Sequence, residues 1–339
     1  MMFPNGCFKR FETFYSLKSA GRAAPQDYYL RIISKILTLS LLILYWVVHD
    51  HLMAQSPGMN DAKEQVHVVF SDEMVKDLNK SDAKASIKVL ANHLAVVHQV
   101  PINAETEVFD GIDSLTEAVL GNKAHIVALR MDEYLDMGLE DILIPSHAGV
   151  YEKGTTEEFL LIQHQSFTDS NLSQLRGKSL KILMGARTGL SKVWLDSLLL
   201  AEGLPESHLF FSEIQEAGKL SNAVLPVFFG QSDSCLITRS GFETMSEMNP
   251  QIQRNLRIIA SSPPVLPSLV CISRMLNPEL RGRITEALGE IHQTPKGQQV
   301  LMLFKMNQLV PVDESQIKES RALLSQYRKL KAGNPIARK

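Results

Sequence analysis

Apolar positions recur along this chain in two patterns that alternate from residue 66 to about residue 260. Short, nearly continuous apolar runs such as 66–70 and 125–129 predict buried strands, whereas 82–97 carries its apolar residues three and four apart and predicts an amphipathic helix. Strands that alternate with helices at this spacing indicate an α/β protein whose sheets are mainly parallel.

The individual elements follow from the same two patterns. Predicted strands cover 66–70, 105–109, 125–129, 142–146, 158–163, 179–184, 208–212, 234–238 and 257–260, followed by an apolar stretch at 265–272. Predicted helices cover 82–97, 114–120, a turn from Asp132, 191–201, 215–228, 242–248, 278–291, 296–304 and a charged surface helix beyond Glu314. Two such series suggest two lobes. The segment after Pro264 either extends the second lobe or returns to the first, and the pattern leaves both open.

An apolar run near the N-terminus predicts export. Basic residues precede 36–48, a run of 13 apolar or nearly apolar residues that ends shortly before Ala54. This length is typical of the apolar core of a signal peptide and is short for a membrane span, which needs about 20 residues. We expect residues 1–54 to direct the chain to the periplasm, with cleavage after Ala54; an uncleaved membrane anchor is the alternative. Because this leader is long, translation that begins near Leu30 is a further hypothesis.

The charge balance and the cysteines exclude several classes of protein. With 35 basic and 37 acidic residues and no long run of either sign, the sequence lacks the basic face that nucleic-acid binding requires. Three cysteines are too few for a disulfide scaffold and too scattered for a zinc site. We expect Cys235 and Cys271 to be buried free thiols, while their pairing across adjacent strands stays open. The histidines show no metal-binding spacing, so we predict no metal and no cofactor.

The segment after the strand at 179–184 predicts an anion-binding site. It places a small-residue turn, 185–190, directly before a helix, whose first backbone N–H groups and positive dipole end attract an anion. Thr188 and Ser191 add hydroxyl donors, and Arg187 adds a planar cation. The alternative is ordinary helix capping by Thr188, with Arg187 in solvent.

The same segment does not carry the chemistry of an enzyme. A nucleotide-binding P-loop needs Lys directly after its last glycine, whereas Lys192 follows Ser191 here. The sequence contains neither a Gly-x-Ser-x-Gly turn nor a credible Cys/His pair. We therefore expect a binding protein that is not an enzyme.

Four segments of the chain carry a family resemblance: Leu175–Pro205, Ala223–Ile237, Glu243–Ile252 and His292–Phe304. In their order and spacing they resemble the periplasmic phosphate- and phosphonate-type (PhnD-like) substrate-binding proteins of ABC transporters. The resemblance implies the type 2 periplasmic binding fold, in which two α/β lobes joined by two crossover segments hold a ligand in the cleft between them. It also implies a monomer that binds a small anionic ligand and delivers it to an ABC permease in the inner membrane.

The apolar run near the N-terminus and the resemblance together divide the chain. The leader covers 1–54, with its apolar run at 36–48; the first part of lobe 1 covers 55–163, lobe 2 covers 164–262, the return to lobe 1 covers 263–313, and a charged C-terminal tail covers 314–339.

The resemblance implies a ligand site at the turn 185–191, because this family holds an oxyanion on a hydroxyl-rich helix N-terminus. Thr188 matches a hydroxyl position, Gly189 is its small neighbour, and Ser191 falls slightly late. Arg187 departs from the family pattern, in which a small hydroxyl residue is usual. Its guanidinium can add a bidentate contact to a carboxylate, a sulfonate or a phosphate.

Two residues outside this turn are further candidates by resemblance. Asp233 matches an Asp that faces the cleft in relatives and receives a ligand ammonium; capping of a strand is the alternative. Tyr134 matches an aromatic residue that closes over the ligand; packing in the core is the alternative. The loop 71–74 departs most from the family pattern, because it carries Asp72 and Glu73 where neutral residues are usual.

We therefore expect an exported solute-binding protein that captures phosphate, a phosphonate or a related oxyanion by closure of its two lobes. The alternative is a ligand-sensing module for a membrane sensor kinase or cyclase, which would use the same fold with a different partner. Neighbouring genes for a permease and an ATPase would favour the first function, and a neighbouring sensor gene the second.

Overall fold

Two β-sheets organise residues 63–76, 78–167, 171–312 and 314–333, which are the residues that the computed structural model describes. They belong to one unit, residues 62–339. In chain order the strands are β1 (Glu64–Ser71), β2 (Ile102–Phe109), β3 (Ile126–Arg130), β4 (Leu143–Val150), β5 (Phe159–His164), β6 (Ser179–Leu183), β7 (Glu213–Ala217), β8 (Ser234–Thr238), β9 (Leu256–Ser261), β10 (Ser268–Ser273) and β11 (Gln308–Pro311).

Each sheet combines parallel and antiparallel pairs. The first sheet has the order β11-β4-β10-β3-β1-β2, and the second has the order β7-β6-β8-β5-β9. Strand β1 runs parallel to β2 and β3, and β6 runs parallel to β7 and β8. All other neighbouring strands pair antiparallel: β10 with β3 and β4, β11 with β4, and β5 with β8 and β9. The sheets are therefore mixed, and the expectation of mainly parallel sheets is wrong for these antiparallel strands.

The helices pack on these sheets, and each sheet with its helices forms one lobe, called lobe 1 for the first sheet and lobe 2 for the second. The helices are α1 (Lys80–Val97), α2 (Ile112–Leu120), α3 (Met131–Met137), α4 (Ser191–Ala201), α5 (Ser207–Phe210), α6 (Leu220–Phe228), α7 (Arg239–Met248), α8 (Pro250–Asn255), α9 (Pro278–Gly289), α10 (Pro295–Leu303) and α11 (Glu314–Gly333). Single 3-10 turns lie at Asp72–Met74, Leu172–Leu175 and Ile291–Gln293.

Two extended segments carry the chain between the lobes, one from β4 to β5 and one from β9 back to β10. They pair with each other at a single antiparallel bridge between Glu157 and Val265. The N–H group of each residue donates to the carbonyl oxygen of the other, at 2.8 and 2.9 Å. One pair of backbone hydrogen bonds therefore joins the two crossing segments to each other.

Apolar strand residues and helix faces form the cores of the lobes. All five residues of β8 are buried, because β8 lies between β6 and β5 inside its sheet. Trp194 lies on the inner face of α4 and packs in the same core as Leu195 and Leu199. Burial of such side chains stabilises the fold by about 1.5–3 kcal/mol each.

Helix α11 packs against lobe 2 through an apolar face. Ile317, Leu323 and Leu324 are buried in the core that contains α4. On the charged face, Arg328 pairs with Asp136 at the end of α3, at 2.8 Å. The segment expected as a charged tail is thus an amphipathic helix that contacts elements of both lobes.

Several sequence predictions differ from the structure. The chain forms α5 at 207–210 and the strand β7 at 213–217, where a strand at 208–212 and a helix from 215 were predicted. Strand β7 lies at the sheet edge with mostly exposed polar side chains, so its apolar pattern is weak. Strand β5 pairs with β8 and β9, so the chain enters the second sheet at Phe159 and not after residue 163. Strand β11 was not predicted.

In the described part of the chain, every helix is too short or too polar to cross a lipid bilayer. The predicted leader at 1–54, with its apolar run at 36–48 and its cleavage after Ala54, lies outside the described residues. So does the last part of the predicted tail, 334–339.

Candidate functional site

A cleft of about 680 Å³ is lined by residues of both lobes. Its volume lies within the range of small-molecule sites, which is roughly 300–1,000 Å³. Lobe 1 contributes mainly Met74, Lys76, Tyr151 and residues 303–306, and lobe 2 contributes residues 183–188, 218–220, Thr238 and Gly241.

Three helices of lobe 2 begin at this cleft. Helices α4, α6 and α7 follow the carboxyl ends of β6, β7 and β8, and residues from each of these connections line the cleft. Ligands of α/β proteins bind at this end of the sheet. Because the N-terminus of a helix has unpaired N–H groups and a partial positive charge, the arrangement favours an anion.

Four cationic side chains line the cleft: Lys76 and Lys305 from lobe 1, and Arg187 and Lys219 from lobe 2. Among the described residues, no Asp or Glu lines it. Lys76 pairs with Glu73 at 3.0 Å, whereas Lys219 and Lys305 form no ion pair with any residue that the structure describes. The cleft therefore has an excess of positive charge.

Arg187 lies in the cleft and is held by three neighbours. Its Nη1 atom is 3.1 Å from Glu157 Oε2 and 3.5 Å from Ser240 Oγ. Its guanidinium lies over the Tyr151 ring, 4.8 Å from the centroid. Glu157 is nearly buried and also accepts a hydrogen bond from Ser240 Oγ at 2.7 Å. The guanidinium is thus oriented by a carboxylate that belongs to the bridge between the lobes.

The two hydroxyl residues of the turn have different environments. Thr188 lines the cleft, and its Oγ1 donates to Gly185 O at 3.1 Å. The N-cap of α4 is Leu190, so Thr188 closes its own turn and does not cap the helix. Ser191 is the first residue of α4; its hydroxyl is buried and has no hydrogen-bond partner among the described residues.

Gly189 forms a close contact between the lobes. A Cβ atom at this position would lie 1.9 Å from Asp132 Oδ1 and 3.0 Å from Arg130 Nε. Asp132 and Arg130 of lobe 1 form a bidentate pair with distances of 3.0 and 2.7 Å. Burial raises the pKa of Asp132, and the positive charge of Arg130 opposes this effect. Only a glycine leaves room for this approach.

The acidic loop of lobe 1 is engaged by protein groups. Asp72 Oδ1 accepts from the Gly111 N–H at 3.2 Å. Glu73 pairs with Arg130 at 2.7 Å as well as with Lys76. Both carboxylates of this loop are therefore engaged by groups of lobe 1.

Asp233 and Tyr134 lie away from the cleft. Asp233 Oδ2 accepts from the N–H and the Oγ of Ser179, both at 2.8 Å, at the start of β6 and thus at the opposite end of this strand from the turn. Tyr134 is 2 % exposed and packs in the core next to α11. The structure therefore supports the strand-capping role of Asp233 and the packing role of Tyr134. Of the predicted site residues, Arg187 and Thr188 line the cleft, whereas Gly189 and Ser191 lie outside its lining.

Several cleft residues were not predicted from the sequence. Lys305 follows α10 with φ of 57°, a left-handed conformation that usually favours glycine. The N–H groups of Lys305 and Met306 donate to Met302 O and Leu301 O, which forms a Schellman turn. A Lys directly after a helix, where glycine is usual, is a sequence feature that could have marked Lys305 as unusual. Lys219 and Tyr151 carry no such signal, because only the tertiary structure brings them to the cleft.

The other reactive side chains are buried or dispersed. Cys235 and Cys271 are free and buried, one in each sheet. Burial raises the pKa of the Cys235 thiol to about 12 and that of Cys271 as well. His147 is buried, which lowers its pKa to about 4. In the described ranges, no group of three or more His, Cys, Asp or Glu residues is placed to hold a metal ion.

The comparison with protein families gives a match over most of the chain. The model of the family described as "ABC transporter, phosphonate, periplasmic substrate-binding protein" matches residues 74–317. Among curated proteins, none matches this sequence.

Solved structures share the fold at low sequence identity. XAC2383 from Xanthomonas citri bound to ATP has a TM-score of 0.60 and 14% identity, over 79% of this chain and 98% of that one. A binding protein component of an ABC phosphonate transporter from Pseudomonas aeruginosa has a TM-score of 0.56 and 12% identity, over 80% and 89%. PhnD1 from Prochlorococcus marinus in complex with methylphosphonate has a TM-score of 0.54 and 11% identity, over 79% and 99%. These likenesses confirm the predicted two-lobed α/β fold.

Proposed function

The chain belongs to the family of periplasmic substrate-binding proteins of phosphonate ABC transporters, and on this premise we propose that it captures a phosphonate, phosphate or related oxyanion in the cleft between its lobes. The observation that carries the proposal is the charge of this cleft, which is lined by four cations and by no carboxylate of the described residues. Hydrogen bonds between charged groups and an oxyanion are the strong ones in proteins.

In the proposed bound state, both lobes contact the anion. Arg187, Thr188 and Lys219 would hold it from lobe 2, and Lys76 and Lys305 would approach it from lobe 1. A ligand that interacts with both lobes stabilises the closed arrangement more than the open one, so that binding shifts the equilibrium towards closure. Because Glu157 joins Arg187 to the bridge between the lobes, the position of this cation depends on the hinge.

The remaining steps follow from the role of the family. We propose that the protein is exported, acts as a monomer without a cofactor or a catalytic step, and passes its ligand to an ABC permease of the inner membrane. The family, which is one of substrate-binding proteins, supports this part of the proposal.

A thermal-shift screen followed by titration calorimetry tests the binding proposal. Phosphate, phosphite, methylphosphonate, sulfonates and small carboxylates are the probes, and a ligand at about 100 times its Kd adds about 2.7 kcal/mol to the stability. Lys219→Ala and Lys305→Ala should each weaken the binding of the selected anion by about tenfold or more, since each removes a charged contact of roughly 1.5–3 kcal/mol.

Lys318→Ala is the matched control, because Lys318 is exposed on α11 and does not line the cleft. It should leave the affinity unchanged. The proposal fails if none of these anions binds, or if the two cleft variants bind as tightly as the control.

A further inference from the structure

Lobe 1 contains a second cavity, of about 130 Å³, which is apolar, whereas the cleft is lined by cations. It lies between the first sheet and helices α1, α9 and α10, and its lining is almost entirely apolar, with Val68, Phe70, Leu90, Ala91, Ala128 and Ile284 among the lining residues. An apolar cavity of this size stays dry and accepts a group of about six carbon atoms, as an engineered cavity accepts benzene.

The cavity and the cleft share a wall. Met74, Phe304 and Met306 line both spaces. Methionine side chains are unbranched and adapt their shape readily, and Phe304 is held against Phe70 by a stacked contact with 5.9 Å between the centroids. Small rotamer changes of the two methionines would therefore connect the cleft with the cavity.

The cations of lobe 1 stand beside this wall. Lys305 lies between Phe304 and Met306 in sequence, in the Schellman turn that brings its side chain to the cleft. Lys76 lies two residues after Met74 and also lines the cleft. Positive charge and an apolar opening thus occur at the same place, an arrangement complementary to a molecule with an anionic head and an apolar tail.

We propose that the ligand is an amphipathic anion, with its oxyanion head in the cationic cleft and an alkyl or aryl group of about six carbons in the cavity of lobe 1. The inference rests on the proposed function, because it assigns the head group to the same cleft. It deepens that function by naming the substrate class: alkyl- or arylphosphonates and similar anions rather than the smallest oxyanions.

Calorimetry with n-alkylphosphonates from methyl to hexyl tests the inference, with hexanol as the probe that has a tail and no head. Each methylene that enters the cavity should tighten binding by about fourfold, so that hexylphosphonate binds up to about a thousandfold tighter than methylphosphonate. A gain of less than about tenfold, with methylphosphonate still bound, overturns the amphipathic ligand and leaves the proposed function standing. Absence of binding by every phosphonate overturns the inference, and it overturns the proposed function as well if phosphate, phosphite, sulfonates and small carboxylates also fail to bind. Hexanol that binds as tightly as hexylphosphonate shows that the anionic head does not contribute to binding, which overturns the inference.

Two variants test whether the alkyl tail of the ligand binds in the cavity. Ala128→Leu on β3 and Ala91→Leu on α1 each fill part of the cavity from a different side. Each should retain methylphosphonate binding and lose most of the gain from the longer chain. Ala201→Leu, at an exposed site at the end of α4, is the matched control and should keep the full gain. If both cavity variants fold, as judged by cooperative thermal unfolding, and still bind hexylphosphonate as tightly as the control, the tail lies elsewhere and the inference is wrong.

Discussion

Replacement of Gly189 by alanine would test whether the turn before α4 touches lobe 1 as closely as the structure shows. The added Cβ would lie 1.9 Å from Asp132 Oδ1 and 2.5 Å from its Cγ. The carboxylate must move by about 1.5 Å to regain an ordinary van der Waals distance. This movement conflicts with the two hydrogen bonds that fix Asp132 on Arg130 at 3.0 and 2.7 Å.

The magnitude follows from what the movement breaks. Both side chains of the pair are mostly buried, at 12% and 15% exposure. One hydrogen bond between charged groups contributes about 1.5–3 kcal/mol, and Arg130 retains its contact with Glu73 at 2.7 Å. We expect Gly189→Ala to lower the free energy of unfolding by about 3 kcal/mol, which corresponds to a Tm lower by roughly 6–12 °C for a unit of this size.

Differential scanning calorimetry of the ligand-free protein measures this effect, and Gly218→Ala is the matched control. Gly218 lines the same cleft, but a Cβ atom there meets nothing within 4 Å, so its Tm should change by no more than about 2 °C. A double-mutant cycle with Asp132→Ala should show a coupling of at least about 1 kcal/mol, since the clash is with that carboxylate. Equal Tm values for the two glycine variants, or additive effects in the cycle, would refute the close contact between the lobes.

Three further predictions concern charges and thiols. Glu157→Gln should tighten anion binding by about tenfold in calorimetry, because it removes the negative charge that faces Arg187; unchanged or weaker binding would contradict this reasoning. Burial lowers the pKa of His147 to about 4 in the folded state. The folded state therefore favours the neutral imidazole, so the free energy of unfolding should be highest above about pH 6.5 and should fall as the pH drops towards 4. Urea unfolding should show this loss in the wild type and a smaller one in His147→Gln, and equal pH dependence would count against it. Cys235 and Cys271 should react with a thiol reagent only at the rate of unfolding, because burial holds both as thiols; rapid labelling of the native protein would show that a thiol is accessible.

Elements with a strong local signal were predicted closely. Helix α4 begins and ends where its apolar periodicity places it, at Ser191 and Ala201, and β8 covers the predicted residues 234–238. The apolar pattern failed to predict an edge strand, whose position depends on pairing with a single neighbouring strand. Strand β7 pairs only with β6 and keeps mostly exposed polar residues, so the apolar cluster next to it was mistaken for the strand.

The candidate site was predicted in part for the same reason. A helix N-terminus after a strand, with Arg187 and Thr188 in the turn, is a local feature that the sequence displays, and the structure places both residues in the cleft. Asp233 was expected there because it stands at a family position, yet its carboxylate fixes the start of β6. Which end of a strand a polar residue occupies relative to a cleft depends on strand order and direction.

The sequence by itself determined the alternation of strands and helices and the turn before α4 that carries Arg187 and Thr188, because each of these depends on residues close together along the chain. It also determined the family, which is recognised from the order and spacing of several segments. Only the tertiary structure decided that Lys76, Lys219 and Lys305 line the same cleft as Arg187 and that an apolar cavity adjoins this cleft. These groups are separated by more than 200 residues from first to last, and no local pattern relates them. Their proximity results from the order of strands in two sheets and from the two crossings that bring the sheets together.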